Sequence, residues 1–172
     1  MPSDGAKIRV YIEIEQGSNL KYETCKETNT LMLDRILPHP YVYPYPYGYI
    51  VGTRAADGDD LDIMVLTEKP IMKDTYLDVY IVGVLIMEDE KGMDEKVLCV
   101  LPEDADRITD IGDVSVEAQE RISWFFSNYK TNTDGKWSTV SGYRDKRYAI
   151  DLYNACRLHS GAFGCFTCNE PK

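Results

Sequence analysis

The stretch Ile8-Arg9-Val10-Tyr11-Ile12-Glu13-Ile14-Glu15 alternates apolar and mostly polar residues with a period of two. This period is typical of a half-buried β-strand, because successive side chains of a strand point to opposite faces. Turns that contain glycine and polar residues separate further strand candidates, which lie at residues 20–25, 31–36, 62–66, 79–87 and 97–101. No helical pattern of crossover length lies between them, which favours a small, mostly antiparallel barrel over a parallel doubly wound sheet.

The last third of the chain has the periodicity of helices. Ser115 can cap a first helix, whose apolar stripe consists of Ile122, Phe125, Phe126 and Tyr129. A second helix is predicted to begin near Asp145 and to stop near Gly161. Its apolar face consists of Ala149, Leu152, Tyr153 and Cys156. The pattern predicts a β-barrel flanked by two C-terminal helices, in a single domain over residues 1–172.

The composition of the 172 residues indicates a globular protein, since 44% of them are hydrophobic and 28% are charged. Acidic residues number 29 against 19 Lys and Arg, which gives a formal net charge of −10. This balance argues against a generally basic surface for nucleic acid, and no apolar run approaches the ~20 residues of a membrane span. The amino-terminal residues also lack the pattern of a secretory signal or a transit peptide. We therefore expect a soluble, cytoplasmic protein with no nucleic acid and no membrane as its partner.

Five cysteines are scattered along the chain: Cys25, Cys99, Cys156, Cys165 and Cys168. Their odd number and spacing argue against a disulfide framework, and reduced thiols suit the cytosol. The last two form a CxxC pair with Cys156 and His159 close in sequence, so a structural zinc site is one interpretation. The other interpretation is a carboxy-terminal tail that contains thiols without binding a metal.

The segment Asp57-Gly58-Asp59-Asp60-Leu61-Asp62 places four carboxylates in six residues, just before a predicted strand. Such carboxylates repel one another unless they are solvated or a divalent cation lies among them. Gly58 permits a tight turn, so that Asp57, Asp59 and Asp62 can converge, and Mg²⁺ prefers oxygen ligands of this kind. The segment is therefore either a magnesium site or a solvated acidic turn.

A second acidic group, at residues 88–96, follows a long apolar strand candidate. Asp89 and Asp94 flank a glycine-containing turn, so both side chains could point inward from a hairpin. Alone, this group would be interpreted as a charged loop. Together with residues 57–62, it could form a site for several metal ions.

Basic and phenolic residues accompany the acids. Lys21 and Glu23 lie on the same side of a predicted strand and Arg35 ends another, although each of them alone is typical of a surface salt bridge. Residues 41–49 carry a Tyr at every second position, so that in an extended chain the rings would lie on one side. They could form a polyproline recognition segment, an aromatic wall of the core, or a set of phenol donors lining a polar cavity.

Taken in order, these motifs resemble the family I soluble inorganic pyrophosphatases of the short, prokaryotic type. The resemblance runs from about residue 8 to about residue 142, and residues 143–172 match only in their helical pattern. It is carried by Ile12-Glu13-Ile14, Lys21-Tyr22-Glu23, Asp34-Arg35, Tyr43-Pro44, Tyr47-Gly48-Tyr49, residues 57–62, Gly83-Val84-Leu85, Asp89-Glu90, Asp94, Lys96, Phe125-Phe126, Tyr129-Lys130 and Gly135-Lys136-Trp137. It implies an α+β, mainly β fold: an OB-like five-stranded antiparallel barrel with two flanking C-terminal helices. It also implies the hydrolysis of pyrophosphate to two phosphates, dependent on Mg²⁺.

The resemblance assigns roles to residues by their position. The metal ligands would be Asp57, Asp62, Asp89, Asp94 and Glu23, with Glu13 and Tyr43 supporting them. Asp59 matches the proton acceptor beside the attacking water. The phosphates would be held by Lys21, Arg35, Tyr47, Lys96, Tyr129 and Lys130.

The chemistry of these residue types agrees with such a reaction. Pyrophosphate is a polyanion that an acidic protein should repel, and several divalent cations, Mg²⁺ or in its place Mn²⁺, would bridge carboxylates and phosphates. Two metals that share a water lower its pKa from 15.7 toward ~7, which gives a metal-bridged hydroxide as the nucleophile. Asp59 can then accept a proton, while Lys, Arg and Tyr side chains stabilise charge on the phosphoryl group.

Three features depart from the family pattern. Asp60 replaces a usual Pro, and Pro46 stands where Asn or a similar residue is common, but neither change removes a proposed ligand. Trp124 and Asn128 lie on the helix where some bacterial members carry His. The last difference concerns assembly: we expect a homo-oligomer, and the resemblance implies a hexamer.

Two other functions are compatible with parts of the pattern. A non-catalytic, cation-loaded OB-like module would keep the acids but would not need Lys21, Arg35 and Tyr129 together. A metal-dependent phosphatase for nucleotides or other phosphoesters would need a base or sugar pocket, and no motif marks one.

Overall fold

The computed structural model describes residues 6–158 of the chain. This part of the chain contains nine strands and two helices. The strands are β1 (Lys7–Ile14), β2 (Leu20–Cys25), β3 (Thr30–Ile36), β4 (Tyr47–Ile50), β5 (Asp62–Val65), β6 (Thr75–Asp89), β7 (Gly92–Met93), β8 (Lys96–Val100) and β9 (Ser138–Arg144). The helices are α1 (Val116–Asn128) and α2 (Lys146–Cys156). The six strands expected from the sequence are present, while β4, β7 and β9 were not predicted.

Five of these strands close into a barrel in the order β1, β4, β5, β8 and β6, with β6 pairing back to β1. The predicted mainly β, OB-like barrel with two helices is thus confirmed. The prediction of antiparallel order is wrong at one pairing, because β5 and β8 run parallel, with Asp62 opposite Lys96. The long strand β6 and the β6–β7 hairpin lie between β5 and β8 in sequence. Because β8 runs antiparallel to β6, it has the same direction as β5. Strands β2 and β3 form a separate hairpin.

The barrel buries one apolar layer inside and another outside. The inner layer draws on all five barrel strands and includes Ile8, Val10, Ile12, Ile50, Ile63, Val65, Val79, Ile81, Val84, Val97 and Cys99. The outer layer includes residues of α1 and of the barrel, among them Ile14, Tyr47, Met64, Leu85, Met87, Leu98, Ile122, Phe125 and Phe126. Because successive residues of β5 and β8 alternate between the two layers, these strands are apolar on both faces.

A β-bulge in β6 changes which of its side chains point outward. The register between β6 and β8 shifts between Ile81 and Gly83. Ile81 belongs to the inner layer, but the next inner residue is Val84, so the alternation has moved by one residue. Beyond the bulge the odd-numbered residues point outward, as Leu85 does. This alternation places Asp89, at the end of the strand, on the side where α1 packs.

Strand β4 lies within the tyrosine-rich segment and packs unusually close to β1. Gly48 pairs with Ile12, and a Cβ atom at residue 48 would lie 1.8 Å from the carbonyl oxygen of Tyr11. Only glycine therefore fits this position without movement of the backbone.

The tyrosines of residues 41–49 behave as an aromatic wall. Tyr43, Tyr45 and Tyr47 are all buried in the outer layer. The rings of Tyr43 and Tyr47 lie 5.1 Å apart, and Tyr43 also packs on Phe125 of α1. The segment thereby joins the barrel to the helix.

Side-chain caps mark the starts of both helices, as predicted. Ser115 accepts a hydrogen bond from the N–H of Ala118 (3.2 Å) before α1. Asp145 accepts one from the N–H of Tyr148 (2.9 Å) before α2. Neither described helix has the length and the apolar character needed to cross a membrane.

Helix α2 ends at Cys156, earlier than the predicted stop at Gly161. The reason is that Arg157 adopts an extended backbone and forms a β-bridge with Thr53. Three of the four residues on which the zinc interpretation depends lie outside the described part of the chain, as Gly161 does: His159, Cys165 and Cys168. That interpretation stays untested.

Candidate active site

A polar cavity of about 320 Å³ lies where the β2–β3 hairpin, the loop before β5, the β6–β7 hairpin and the end of α1 meet. Every predicted site residue lines it: Glu13, Lys21, Glu23, Arg35, Tyr43, Tyr47, Asp57, Asp59, Asp62, Asp89, Asp94, Lys96, Tyr129 and Lys130. Their roles stay predictions. The two acidic turns nevertheless face one space, as the expected chemistry requires.

Strand pairing brings these side chains together from distant parts of the sequence. The hairpin register places Lys21 opposite Arg35. The parallel pairing of β5 and β8 places Asp62 beside Lys96, at the first residue of each strand. The bulge in β6 directs Asp89 to the same side. The site is thus built from strand ends around a fixed barrel.

Lys96 is a buried cation that holds two of the acids. Its side chain is 3% exposed, and its Nζ lies 2.6 Å from Asp62 Oδ2 and 2.8 Å from Asp94 Oδ1. Burial alone would lower the pKa of Lys96, but the charge of Asp62, with other groups, raises it well above its usual value. Lys96 therefore stays charged at neutral pH. It links the acidic segment that ends at Asp62 to the acidic hairpin that carries Asp94.

Three further lysines pair with five other acids of the cavity. Lys130 Nζ lies 2.7 Å from Asp89 Oδ2 and also contacts Glu90. Lys21 donates to Asp34 (2.8 Å) and to Glu23, and Lys26 donates to Asp59 (3.0 Å). The contacts are Lys21–Glu23, Lys21–Asp34, Lys26–Asp59, Lys130–Asp89 and Lys130–Glu90. Ammonium groups of the cavity thus pair with many of its acids, although the acids outnumber them.

Burial shapes the protonation of the acids. It raises the pKa of Glu13 to about 7, although the N–H and hydroxyl of Thr24 donate to this carboxylate (2.7 and 2.9 Å) and act in the opposite direction. Burial also raises the pKa of Asp94, against the charge of Lys96. The pKa of Asp89 is lowered, because the hydrogen bond from Lys130 and other bonds outweigh its burial.

Arg35 carries the clearest sign that the cavity can bind an anion. Its Nε and Nη1 atoms are buried and have no hydrogen-bond partner among the residues that the structure describes. Its guanidinium group lies 5.8 Å from the ring of Tyr129 and lines the cavity. Buried donors are nearly always satisfied, so two unpaired donors beside a polar cavity indicate a ligand with acceptor oxygens.

The structure adds residues that the sequence reasoning did not select. Lys26, Asp34, Glu90 and Lys136 also line the cavity. Glu90 and Lys136 stand next to or within motifs quoted above, and adjacency to those motifs was the signal that could have found them. Lys26 lies in the turn after β2, where alternation no longer indicates direction.

The donor set of the cavity fits a hard divalent cation. Its described lining offers carboxylate oxygens and neither His nor Cys, which suits Mg²⁺ or Mn²⁺ better than zinc. Within residues 6–158, however, no group of three or more Asp, Glu, His or Cys side chains is arranged so that it could hold a metal ion. Several of the carboxylates are instead paired with lysines: Asp62 and Asp94 with Lys96, Asp89 with Lys130, and Asp59 with Lys26.

Comparisons with known proteins identify the family of the chain. The family model described as "Inorganic pyrophosphatase" matches residues 10–160, a span that includes helix α2. The chain is 42% identical over 153 residues to an inorganic pyrophosphatase of Thermus thermophilus, covering 87% of each chain. It is 38% identical over 163 residues to one of Helicobacter pylori strain J99, covering 92% of this chain and 94% of the relative.

Solved structures lead to the same family. The crystal structure of inorganic pyrophosphatase from Thermus thermophilus superposes with a TM-score of 0.85 at 41% identity, covering 91% of this chain and 92% of the other. The Helicobacter pylori inorganic pyrophosphatase gives a TM-score of 0.84 at 37% identity, with 89% and 92% covered. The chain therefore belongs to the inorganic pyrophosphatase family, and the predicted relation to the short family I enzymes is confirmed.

Proposed function

We propose that this protein hydrolyses inorganic pyrophosphate to two phosphates, with Mg²⁺ as its cofactor. The observation that carries the proposal is the pair of buried, unpaired Arg35 donors in a cavity lined by two acidic turns. Such a cavity suits a ligand that accepts hydrogen bonds and is bound together with cations. Pyrophosphate with divalent metals meets both requirements, and the family relatives carry this substrate in their names.

Carboxylates on both turns would hold the metals. The proposed ligands are Asp57, Asp62, Asp89, Asp94 and Glu23. Bound Mg²⁺ would neutralise these carboxylates and the phosphate oxygens, and would lower the pKa of a coordinated water toward ~7. Glu13 would support the site indirectly. It accepts two hydrogen bonds from Thr24 and thereby fixes the residue next to Glu23.

Asp59 would take the proton of the attacking water. It is an exposed carboxylate whose partner in the structure, Lys26, is also exposed. Exposed ion pairs of this kind contribute little free energy, so they open readily. Asp59 is thus available as a proton acceptor in a way that Asp62, held by the buried Lys96, is not.

The phosphate oxygens would be held by cations and phenols. Arg35 can donate to two oxygens at once, and Lys21 faces it across the hairpin. Burial raises the pKa of Tyr47 and of Tyr129 far above neutrality, so both hydroxyls remain donors. Lys96 and Lys130 contact carboxylates in this structure, and their predicted part in phosphate binding requires that metals take over those carboxylates.

A phosphate-release assay tests the proposal. We expect rapid release from pyrophosphate with Mg²⁺, loss of that activity with excess EDTA, and its return when Mg²⁺ is restored. ATP and a simple phosphomonoester should be hydrolysed far more slowly. Comparable rates on ATP would favour the broader phosphatase, and no release from any substrate would favour the non-catalytic module.

Replacing Arg35 by Lys should weaken the handling of phosphate while keeping the positive charge. One charge-assisted hydrogen bond contributes about 1.5–3 kcal/mol, so we expect kcat/KM for pyrophosphate to fall roughly 10- to 150-fold. Steady-state kinetics measure this change. Arg107→Lys is the matched control, because Arg107 is 72% exposed and pairs with Asp104 away from the cavity. Equal kinetics in both variants would exclude Arg35 from phosphate binding.

Two predictions about the protein in the cell stay open to test. The homo-oligomer, with a hexamer implied by the resemblance, can be measured by analytical ultracentrifugation. The cytoplasmic location can be measured by cell fractionation.

A further inference from the structure

The loop that carries Asp57 and Asp59 is tied at its base by one buried hydroxyl. Thr53 is 2% exposed, and its Oγ1 donates to the carbonyl of Ile50 at 2.7 Å. The same oxygen accepts a hydrogen bond from the N–H of Leu61 at 2.9 Å. Ile50 ends β4 and Leu61 directly precedes β5, so Thr53 links the two strands between which the loop emerges.

The rest of the loop is less firmly held. Asp57, Gly58 and Asp59 are exposed at its tip. The tip is closed by its own bonds, among them that from the N–H of Ala55 to the carbonyl of Asp59 at 2.7 Å. Lys26 contacts the tip, but this side chain is itself 62% exposed. The contacts of Thr53 are therefore a buried restraint at the base of a loop whose tip is exposed.

Helix α2 supports the same base from outside. The N–H of Arg54 donates to the carbonyl of Cys156 at 2.8 Å, and the N–H of Leu158 donates to the carbonyl of Gly52 at 2.9 Å. The backbone of Thr53 lies between these two bonds and bridges to Arg157. One side of Thr53 is thus fixed by backbone pairing. On its other side, β4 and β5 pair through their backbones, up to the bond from the N–H of Ile50 to the carbonyl of Leu61 at 2.9 Å, and the hydroxyl of Thr53 joins the loop to the end of this ladder.

We propose that Thr53 is a positioning residue that holds Asp57 and Asp59 in register with Asp62. The inference rests on the proposed function, because it concerns the acids assigned there to metal binding and proton transfer. A methyl group in place of the hydroxyl would leave the Ile50 carbonyl and the Leu61 N–H buried without their partner. The loop would then move relative to Asp62, and the carboxylates would no longer present the same set of oxygens.

The test compares Thr53→Val, which removes the hydroxyl at equal size, with Thr53→Ser, which keeps it. Outer groups that orient metal ligands typically affect affinity or activity by ~10- to 100-fold. We expect Thr53→Val to weaken the binding of Mg²⁺ alone to the substrate-free protein, measured by calorimetry, by about tenfold or more. It should lower kcat to a similar extent with a smaller change in KM. Thr53→Ser should restore both values to within about threefold of wild type.

Thr67→Val is the matched control for the loss of a buried hydroxyl. Thr67 is 7% exposed, and its Oγ1 accepts from the N–H of Lys69, away from the acidic loop. This variant should melt at a lower temperature while binding Mg²⁺ as wild type does. If Thr53→Val does not fold, Thr53→Cys, which has nearly the same size and a weaker hydrogen-bonding group, should show the same loss in part.

The outcomes separate this inference from the proposed function. Wild-type Mg²⁺ binding in the folded Thr53→Val protein, or an equal loss in Thr53→Ser, would overturn the positioning role. An equal loss of Mg²⁺ binding in Thr67→Val would also overturn it, since stability alone would then explain the effect. A wild-type protein that does not release phosphate from pyrophosphate would refute the proposed function, while the calorimetry would still decide the role of Thr53.

Discussion

Replacing Asp59 by Asn should lower the turnover of pyrophosphate by about 10²- to 10⁴-fold, the range that a positioned general base typically contributes. The amide keeps the size and shape of the side chain but cannot accept the proton of the attacking water. The fold should be unaffected, because Asp59 is exposed and its ion pair with Lys26 lies between two exposed side chains. Stopped-flow or steady-state phosphate release measures the change, and a thermal melt checks the fold.

Asp60→Asn provides the matched control for this change. It removes the same charge from the next residue of the same turn, and Asp60 also lines the cavity. Asp60 has no proposed role, so its variant should keep turnover within a few-fold of wild type. An equally large loss in Asp60→Asn would show that the turn supplies net charge rather than proton transfer. Wild-type turnover in Asp59→Asn would exclude Asp59 as the proton acceptor.

Replacing Gly48 by Ala should destabilise the barrel strongly, although it adds only one methyl group. The new Cβ would lie 1.8 Å from the carbonyl oxygen of Tyr11 and 3.0 Å from the Cα of Ile12, both of them backbone atoms that cannot rotate away. Strands β1 and β4 would have to separate. Overpacking in a well-packed interior typically costs 1–3 kcal/mol, and a clash with backbone should exceed that range, so we expect a loss of more than about 3 kcal/mol.

Urea denaturation followed by circular dichroism measures this loss as a shift of the unfolding midpoint. Gly112→Ala is the control, because a Cβ at residue 112 would meet no atom within 4 Å. Its midpoint should stay close to that of wild type. If Gly48→Ala unfolded at the wild-type midpoint, β1 and β4 could not pack as closely as the structure shows.

Local patterns in the sequence predicted the strands that have one polar face. Residues 8–15 alternate because one face of β1 fills the barrel, and the short turns mark where the chain reverses. The segment 138–144 did not stand out, since β9 is a partly exposed edge strand with few apolar residues. The short strand β4 was obscured by the regular tyrosines and prolines around it.

The pairing of the strands could not be predicted in the same way. Strand β8 is buried along its whole length, and β5 is buried after its first residue, so neither has an alternation that reveals its neighbour or direction. The bulge after Ile81 is equally hidden, because the residues on both sides of it are apolar. These features follow from how the closed barrel distributes its strands, which is a property of the whole chain.

The candidate site was largely predictable in its membership but not in its contacts. The spacing of acids in residues 57–62 and the family resemblance together selected residues that the structure brings into one cavity. The sequence did not indicate that Lys96 would be buried between Asp62 and Asp94. That contact depends on the parallel pairing of β5 and β8, and it could not be inferred before the pairing was known.

The one-residue shift in β6 also limits how the length of this strand can vary. Removing or adding a single residue between the shift and Asp89 would reverse the direction of the side chains in the rest of β6. The carboxylate of Asp89 would then point into the apolar interior of the barrel, and an apolar neighbour would take its place in the cavity. Changes in length at this point are therefore tolerable only by twos, or with a compensating second kink.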